Sequence, residues 1–287
     1  MLHTLASRTA LILHALTPAD AAADKRAFTL FNPTPRELMR PMSADRPDAT
    51  ESPVTVDAGH VQLEMSFIDA GFDTRTGRAE KTRAVQIAPF NLKIGLLDTI
   101  DLQVVLTPSA RERIEDRGTD SVMTSLGTGD LTLRLKHNLW GNDPDPATDP
   151  GAPVTALGVM PFITFPTGAD EFSAGGVEGG IIVPFSIVLP GGLELGLMGE
   201  VDFVRDADER PVEWFHTVVL GGEVVEGVRL FVEYAGRAST RATYLAAVNT
   251  GAVLTLSGDL SLDVGVRLGV SEQAEDIGLF VGMSLRY

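Results

Sequence analysis

The sequence predicts an all-β fold: an up-and-down antiparallel transmembrane β-barrel of about 12 strands, preceded by a proline-rich N-terminal leader. Three observations carry the prediction. Apolar residues alternate with polar or small ones at period two from Ala58 onward. Tight turns alternate with longer polar connections. The face opposite the apolar one is rich in Gly and Ser and holds too few charges to solvate the outside of a soluble barrel.

The alternation is explicit in several segments. Val61, Leu63, Met65 and Phe67 interleave with His60, Gln62, Glu64 and Ser66. Ile100, Leu102, Val104 and Leu106 flank Asp101 and Gln103, and Leu131, Leu133 and Leu135 flank Thr132, Arg134 and Lys136. Leu193, Leu195 and Leu197 interleave with Glu194 and Gly196. Leu260 to Leu268 alternates with Ser261, Asp263, Gly265 and Arg267, and Ile277 to Tyr287 with Gly278, Phe280, Gly282, Ser284 and Arg286. Successive strand side chains point to opposite faces, so each segment has one apolar and one polar or small face. Strands are expected near 58–67, 84–96, 100–107, 128–140, 154–166, 178–189, 193–204, 212–224, 228–237, 242–256, 260–270 and 277–287. Several reach the length a tilted membrane crossing needs.

Tight turns fall at Leu97–Thr99, Pro190–Gly192, Val225–Gly227 and Ser257–Asp259. Between them lie the connections 68–83, 108–127, 167–177, 205–211, 238–241 and 271–276, most of them longer, which are expected on the outer side. Loops 68–83 and 108–127 are expected to narrow the mouth. One connection breaks the order: Gly141–Pro153 is long where a short turn belongs.

Composition narrows the function classes. A mean hydropathy of +0.12, with no run of 18 apolar residues, argues against a helical membrane bundle. The absence of Cys removes disulfides, thiolate metal sites and Cys nucleophiles. A net charge of -16 disfavours binding to a nucleic-acid backbone or to an anionic lipid surface by repulsion.

Arg8, the apolar run Ala10–Leu16 and the Ala21-Ala22-Ala23 cleavage pattern read as a signal peptide over 1–23. Pro33, Pro35, Pro41, Pro47 and Pro53 make 24–57 an extended leader with at most a helical turn near Arg36–Met39, and the barrel is expected over 58–287. Tyr287, with Leu285, Met283 and Val281 at alternate positions before it, reads as a terminal assembly signal for the barrel-assembly machinery.

Three segments resemble a bacterial family of outer-membrane transporters named for the MetA-pathway of phenol degradation. They are Asp45–Glu64, with Asp45-Arg46-Pro47-Asp48 leading into Val61-Gln62-Leu63-Glu64; Gly127–Lys136; and Pro161-Phe162-Ile163-Thr164-Phe165-Pro166-Thr167-Gly168. With the hairpin at Pro190-Gly191-Gly192, the similarity covers most of 45–287. The resemblance implies an outer-membrane barrel with a transport role and names no substrate. Aromatic residues are only 6% here, so the interfacial girdles are expected to be thin.

If the apolar face meets lipid, Glu64, Lys93, Gln103, Arg134, Lys136, Glu194, Asp263 and Arg267 face the lumen, because an Arg or Lys on the lipid face near the midplane costs about 2–4 kcal/mol. They either form a polar pathway that selects the solute or pair into a network that plugs the barrel. Glu200, Asp202, Glu223, Glu226 and Glu233 could form a cation-favouring stripe or be rim charge. Asp143, Asp145 and Asp149 lack calcium-loop spacing and read as a solvated loop, so no metal or cofactor is expected.

An enzyme is not expected. His3 and His14 leave with the signal, His137 falls on the lipid face, and His60 and His216 accompany no recognisable Ser motif. Gly175–Gly180 is not followed by a helix and reads as loop, not as a phosphate cradle. The expected role is passage of small solutes, including aromatic or other apolar compounds, across the cell outer membrane, with outer-membrane lipid surrounding the barrel. The alternative is a non-conducting structural or adhesive barrel acting through its surface loops.

Overall fold

A computed structural model describes residues 25–75, 78–143, 154–205 and 210–287. The signal-peptide reading, Asp145 and Asp149 lie outside these residues. Fifteen strand segments form one antiparallel sheet: β1 Val61–Asp73, β2 Glu80–Ile87, β3 Phe90–Leu97, β4 Ile100–Leu106, β5 Ser109–Asp116, β6 Val122–Gly127, β7 Leu131–Trp140, β8 Thr155–Phe165, β9 Glu178–Val188, β10 Glu194–Phe203, β11 Val212–Val225, β12 Val228–Ser239, β13 Leu245–Ser257, β14 Leu260–Gly269 and β15 Ile277–Arg286. β2 and β3, β4 and β5, and β6 and β7 follow each other end to end, so the sheet has 12 staves. Pairing of β15 with β1, from Gln62↔Arg286 to Phe72↔Ile277, closes the ring. Closure leaves no free backbone edge along that seam, which is what a spanning sheet requires.

The stave breaks follow from sequence. Pro89 and Pro108 have no N–H to give a ladder, and each separates two segments. At the first break Ala88 takes a positive φ of 54°. It faces the bulge between Ser66 and Ile68 in β1, where Ser66 N donates to Pro89 O at 3.0 Å. β1 therefore pairs with β3 in its first half and β2 in its second.

The tight turns, both ends of the ring and the long 141–154 connection fall on one side, the turn end; the other longer connections fall on the opposite side, the loop end. Here the structure corrects the sequence reading. Much of 68–83 and 108–127 is strand, not loop: β1 runs to Asp73, and β2, β5 and β6 rise as a ribbon beyond the shorter staves. The reason is chemical. Ser-Ala-Arg-Glu-Arg-Ile-Glu-Asp carries charges on both faces, so no apolar alternation marks it, while backbone pairing needs none.

The apolar faces look outward. Leu135, Leu139, Ile181, Val183, Leu197, Val218, Leu230, Val232, Val264, Leu279 and Val281 are all exposed on the outside of the ring. Such a surface is a liability in water and a match to lipid hydrocarbon. His137 lies on this outer face near the turn end. No helix among the described residues is long and apolar enough to cross a membrane.

The leader has 3-10 turns at Lys25–Ala27 and Arg36–Leu38 and is otherwise irregular. From Arg40 to Asp57 it lies inside the ring, a position the sequence reading did not foresee. Gly59, at φ +78°, turns the chain from leader into β1, and a Cβ there would meet Pro33 at 2.7 Å.

Candidate lumenal site

Inward residues of β1, β3, β4 and β7 build one charged wall. Glu64, Lys93, Gln103 and Lys136 are at most 1% exposed, and Asp263 is 4% exposed. An isolated charge so placed would be expelled or neutralised. The leader provides the partners. Lys93 is paired with both Asp45 and Glu64, and Lys136 Nζ reaches the two Asp45 oxygens at 2.8 and 3.0 Å. Asp45 N donates to Glu64, and Gln62 Nε2 donates to Glu64 Oε1 at 2.7 Å. Gln103 holds Asp101, whose other oxygen accepts Val56 N at 3.0 Å.

The same pattern continues round the ring. Arg46 donates to Asp263 at 2.6 and 3.2 Å and to Ser66 Oγ at 2.8 Å. Arg134 Nη1 donates to Glu51 Oε1 at 2.5 Å. Glu233 accepts from Ala49 N, Thr50 Oγ1 and Asn249 Nδ2, and Thr50 Oγ1 lies 2.6 Å from Thr217 Oγ1. At the turn end Arg40, 5% exposed, binds Asp57, Asp98, Asp143 and Thr55 O. Arg286 from the last strand donates to Arg40 O at 2.8 Å. Charge-assisted bonds of this kind are roughly twice as strong as neutral ones, so the leader is clamped along its length.

Two of the sequence candidates stand apart from this clamp. Arg267 pairs with Asp69 and Glu275 and lies 5.6 Å over the Phe280 ring, towards the loop end. Glu194 is at the turn-end rim, 49% exposed, paired with Arg229 at 2.8 Å.

The acidic stripe is not continuous. Glu233 binds the leader, and Glu200 and Asp202 lie on the inner face towards the loop end. Glu223 caps the Gly227 turn at the opposite end, and Glu226 lies in that turn. Asp143 is taken by Lys25 and Arg40. His60 bonds Thr34 O at 2.7 Å, and His216 faces outward beside Tyr244 at 3.0 Å.

Burial works against the charge of Asp45, but the Lys136 and Lys93 ammonium groups outweigh it and hold the carboxyl well below the usual carboxylate range. Glu51 behaves oppositely. Burial and the neighbouring Asp45 carboxylate push it up to about 7 against the pull of Arg134 and Lys136.

The opposite wall is different in kind. Met160, Ile182 and Met198, each at most 5% exposed, form an inward apolar cluster with Phe162 and Phe215 packed against it. They come from β8, β9, β10 and β11 and reach from the leader, where Met198 Sδ accepts Glu51 N at 3.4 Å, towards the loop end. Sequence reading missed this wall and the leader's role together. The signals were present: inward Met and Phe where Gly and Ser dominate elsewhere, and leader charges matching unpaired charges on the strands.

Comparison with known proteins places this architecture. The family model described as "Putative MetA-pathway of phenol degradation" matches residues 44–287. No curated protein sequence matches the chain. Among solved structures, the COG4313 outer membrane channel from Pseudomonas putida F1 is similar at 14% identity and TM-score 0.59, over 85% of this chain and 100% of that one. The transport unit of the autotransporter AIDA-I from Escherichia coli matches at 8% identity and TM-score 0.49, over 86% and 92%. The NanC porin matches at 9% identity and TM-score 0.44, over 78% and 98%.

Proposed function

The chain belongs to the MetA-pathway of phenol degradation family, and we propose that it is an outer-membrane channel that passes small apolar or aromatic solutes, with the leader as its gate. The observation that carries the reading is the inward apolar wall of Met160, Phe162, Ile182, Met198 and Phe215. A conduit for hydrophilic solutes gains nothing from inward Met and Phe, whereas apolar ligands are held by such walls with a few polar groups to orient them. The charged wall then serves the leader, and Glu64, Lys93, Gln103, Arg134, Lys136 and Asp263 line the passage only when the leader shifts.

The test is flux into liposomes. Wild type and a variant lacking residues 25–57 are compared for a hydrophilic sugar and a radiolabelled phenol-class aromatic. Removal of the leader is expected to raise flux of both, and Met198→Asn with Phe215→Asn is expected to lower aromatic flux selectively. If the leaderless barrel passes neither solute, the protein is a non-conducting structural or adhesive barrel acting through its loops.

A further inference from the structure

The ribbon at the loop end carries a charge pattern that passage through the lumen does not use. Its outward face mixes apolar and basic side chains: Ile87 and Val85 of β2 and Leu126 of β6 stand beside or below Arg111, Arg83 and Arg113, while Lys81 and the exposed Val122 lie beyond. Register places Arg83 directly opposite Arg113, and Arg111 opposite Val85 and Leu126. Cross-strand partners have Cβ atoms about 5 Å apart, and like charges directly opposite each other destabilise a sheet. The acidic residue on this face of the three strands is Glu115, which is bound to Lys81 at 3.2 Å and Arg113 at 3.0 Å. Among the described residues Arg83 and Arg111 form no ion pair, and both side chains are exposed. In a chain of net charge -16 such a cluster runs against composition.

We infer that this face is a binding site for the phosphate-bearing headgroup of an outer-leaflet lipid. An anion between Arg83, Arg111 and Arg113 turns the like-charge contact into bridging interactions, and Arg forks match phosphate oxygens. Val85 and Leu126, which flank Arg111, and Ile87 below them receive the acyl chains of the same molecule. A free anion would use the arginines but not these apolar side chains; a lipid uses both. The inference requires the outer-membrane position, with the loop end outward, and is independent of solute transport.

The experiment uses the full chain in detergent. Binding of a fluorescent acylated glucosamine disaccharide bearing two phosphates is compared with binding of the same lipid after phosphate removal. Wild type is expected to prefer the phosphorylated form by about tenfold or more. Arg83→Gln with Arg111→Gln is expected to abolish the preference. Arg229→Gln, which removes a charge at the turn end, is expected to leave it intact. Heat-shifted gel mobility confirms that each variant is a closed barrel. Equal binding of both lipids, or an unchanged preference in the double variant, overturns the site. Displacement by millimolar inorganic phosphate reassigns it to a free anion and overturns the lipid.

Discussion

Lys93 and Lys136 are withdrawn from water, and an unpaired ammonium in such a position would cost several kcal/mol. Both are held by Asp45, so one leader carboxylate neutralises two strands. Lys93→Met leaves Asp45 and Glu64 short of a counter-charge. It is expected to destabilise by about 3–5 kcal/mol, visible as a lower temperature for the gel-mobility shift. The pH response follows from two leader carboxyls. Asp45 is depressed, so its contribution is complete above its ordinary value near 3.8 and persists as the pH falls well below that. Glu51 is raised to about 7 from an ordinary 4.5, so the seated leader loses stability as the pH rises between these values. Open-state conductance is therefore expected to grow from pH 5 to pH 8, and Glu51→Gln to flatten that growth. A conductance that falls over this range in wild type would contradict the assignment.

At the scale of elements, the leader is a strap and the ring its frame. The proline that keeps the strap from becoming a strand also leaves its amides free to meet Glu64, Glu233 and Asp101 on the wall. Thr50 and Thr217 lie hydroxyl to hydroxyl at 2.6 Å, and the protein contains no Cys. Thr50→Cys with Thr217→Cys is expected to form a disulfide that locks the strap. Flux should fall when oxidised and recover with reductant; flux indifferent to reduction would mean that the strap does not gate. The ribbon of β2, β5 and β6 is the second distinctive element. Its backbone is paired as in the barrel, while its side chains set charged groups among exposed apolar ones.

For the whole molecule, closure through β1 and β15 makes stability collective, since opening the ring exposes ladder groups to lipid. The closed form is expected to resist detergent until heated and to shift mobility on boiling. The interior ion pairs are shielded, so 1 M salt is expected to move the transition temperature little. Tyr287, 85% exposed, is tied to Val61 by two backbone bonds of 2.8 and 3.1 Å, leaving its ring outward at the turn end. We propose it as the assembly signal. Tyr287→Ser should lower the yield of heat-modifiable barrel in cells without lowering the transition temperature of the barrel that does form.

What the sequence determined by itself is the set of properties that repeat along the chain. Period-two alternation named the strands, the tight turns gave their order, and inward charges such as Glu64 and Lys136 had no affordable place on a lipid face. Those arguments are local: each needs only a few consecutive residues and the polarity of what surrounds them. What the tertiary structure decided is which inward residues meet. The seat of Asp45 between Lys93 and Lys136, 48 and 91 residues away, depends on ring closure and on the path of the leader through it. The assembly of Met160, Ile182, Met198 and Phe215 into one wall depends on the register of four strands. The charged ribbon shows the same division from the other side. β5 and β6 were invisible to an apolar pattern because backbone hydrogen bonding with neighbours holds them.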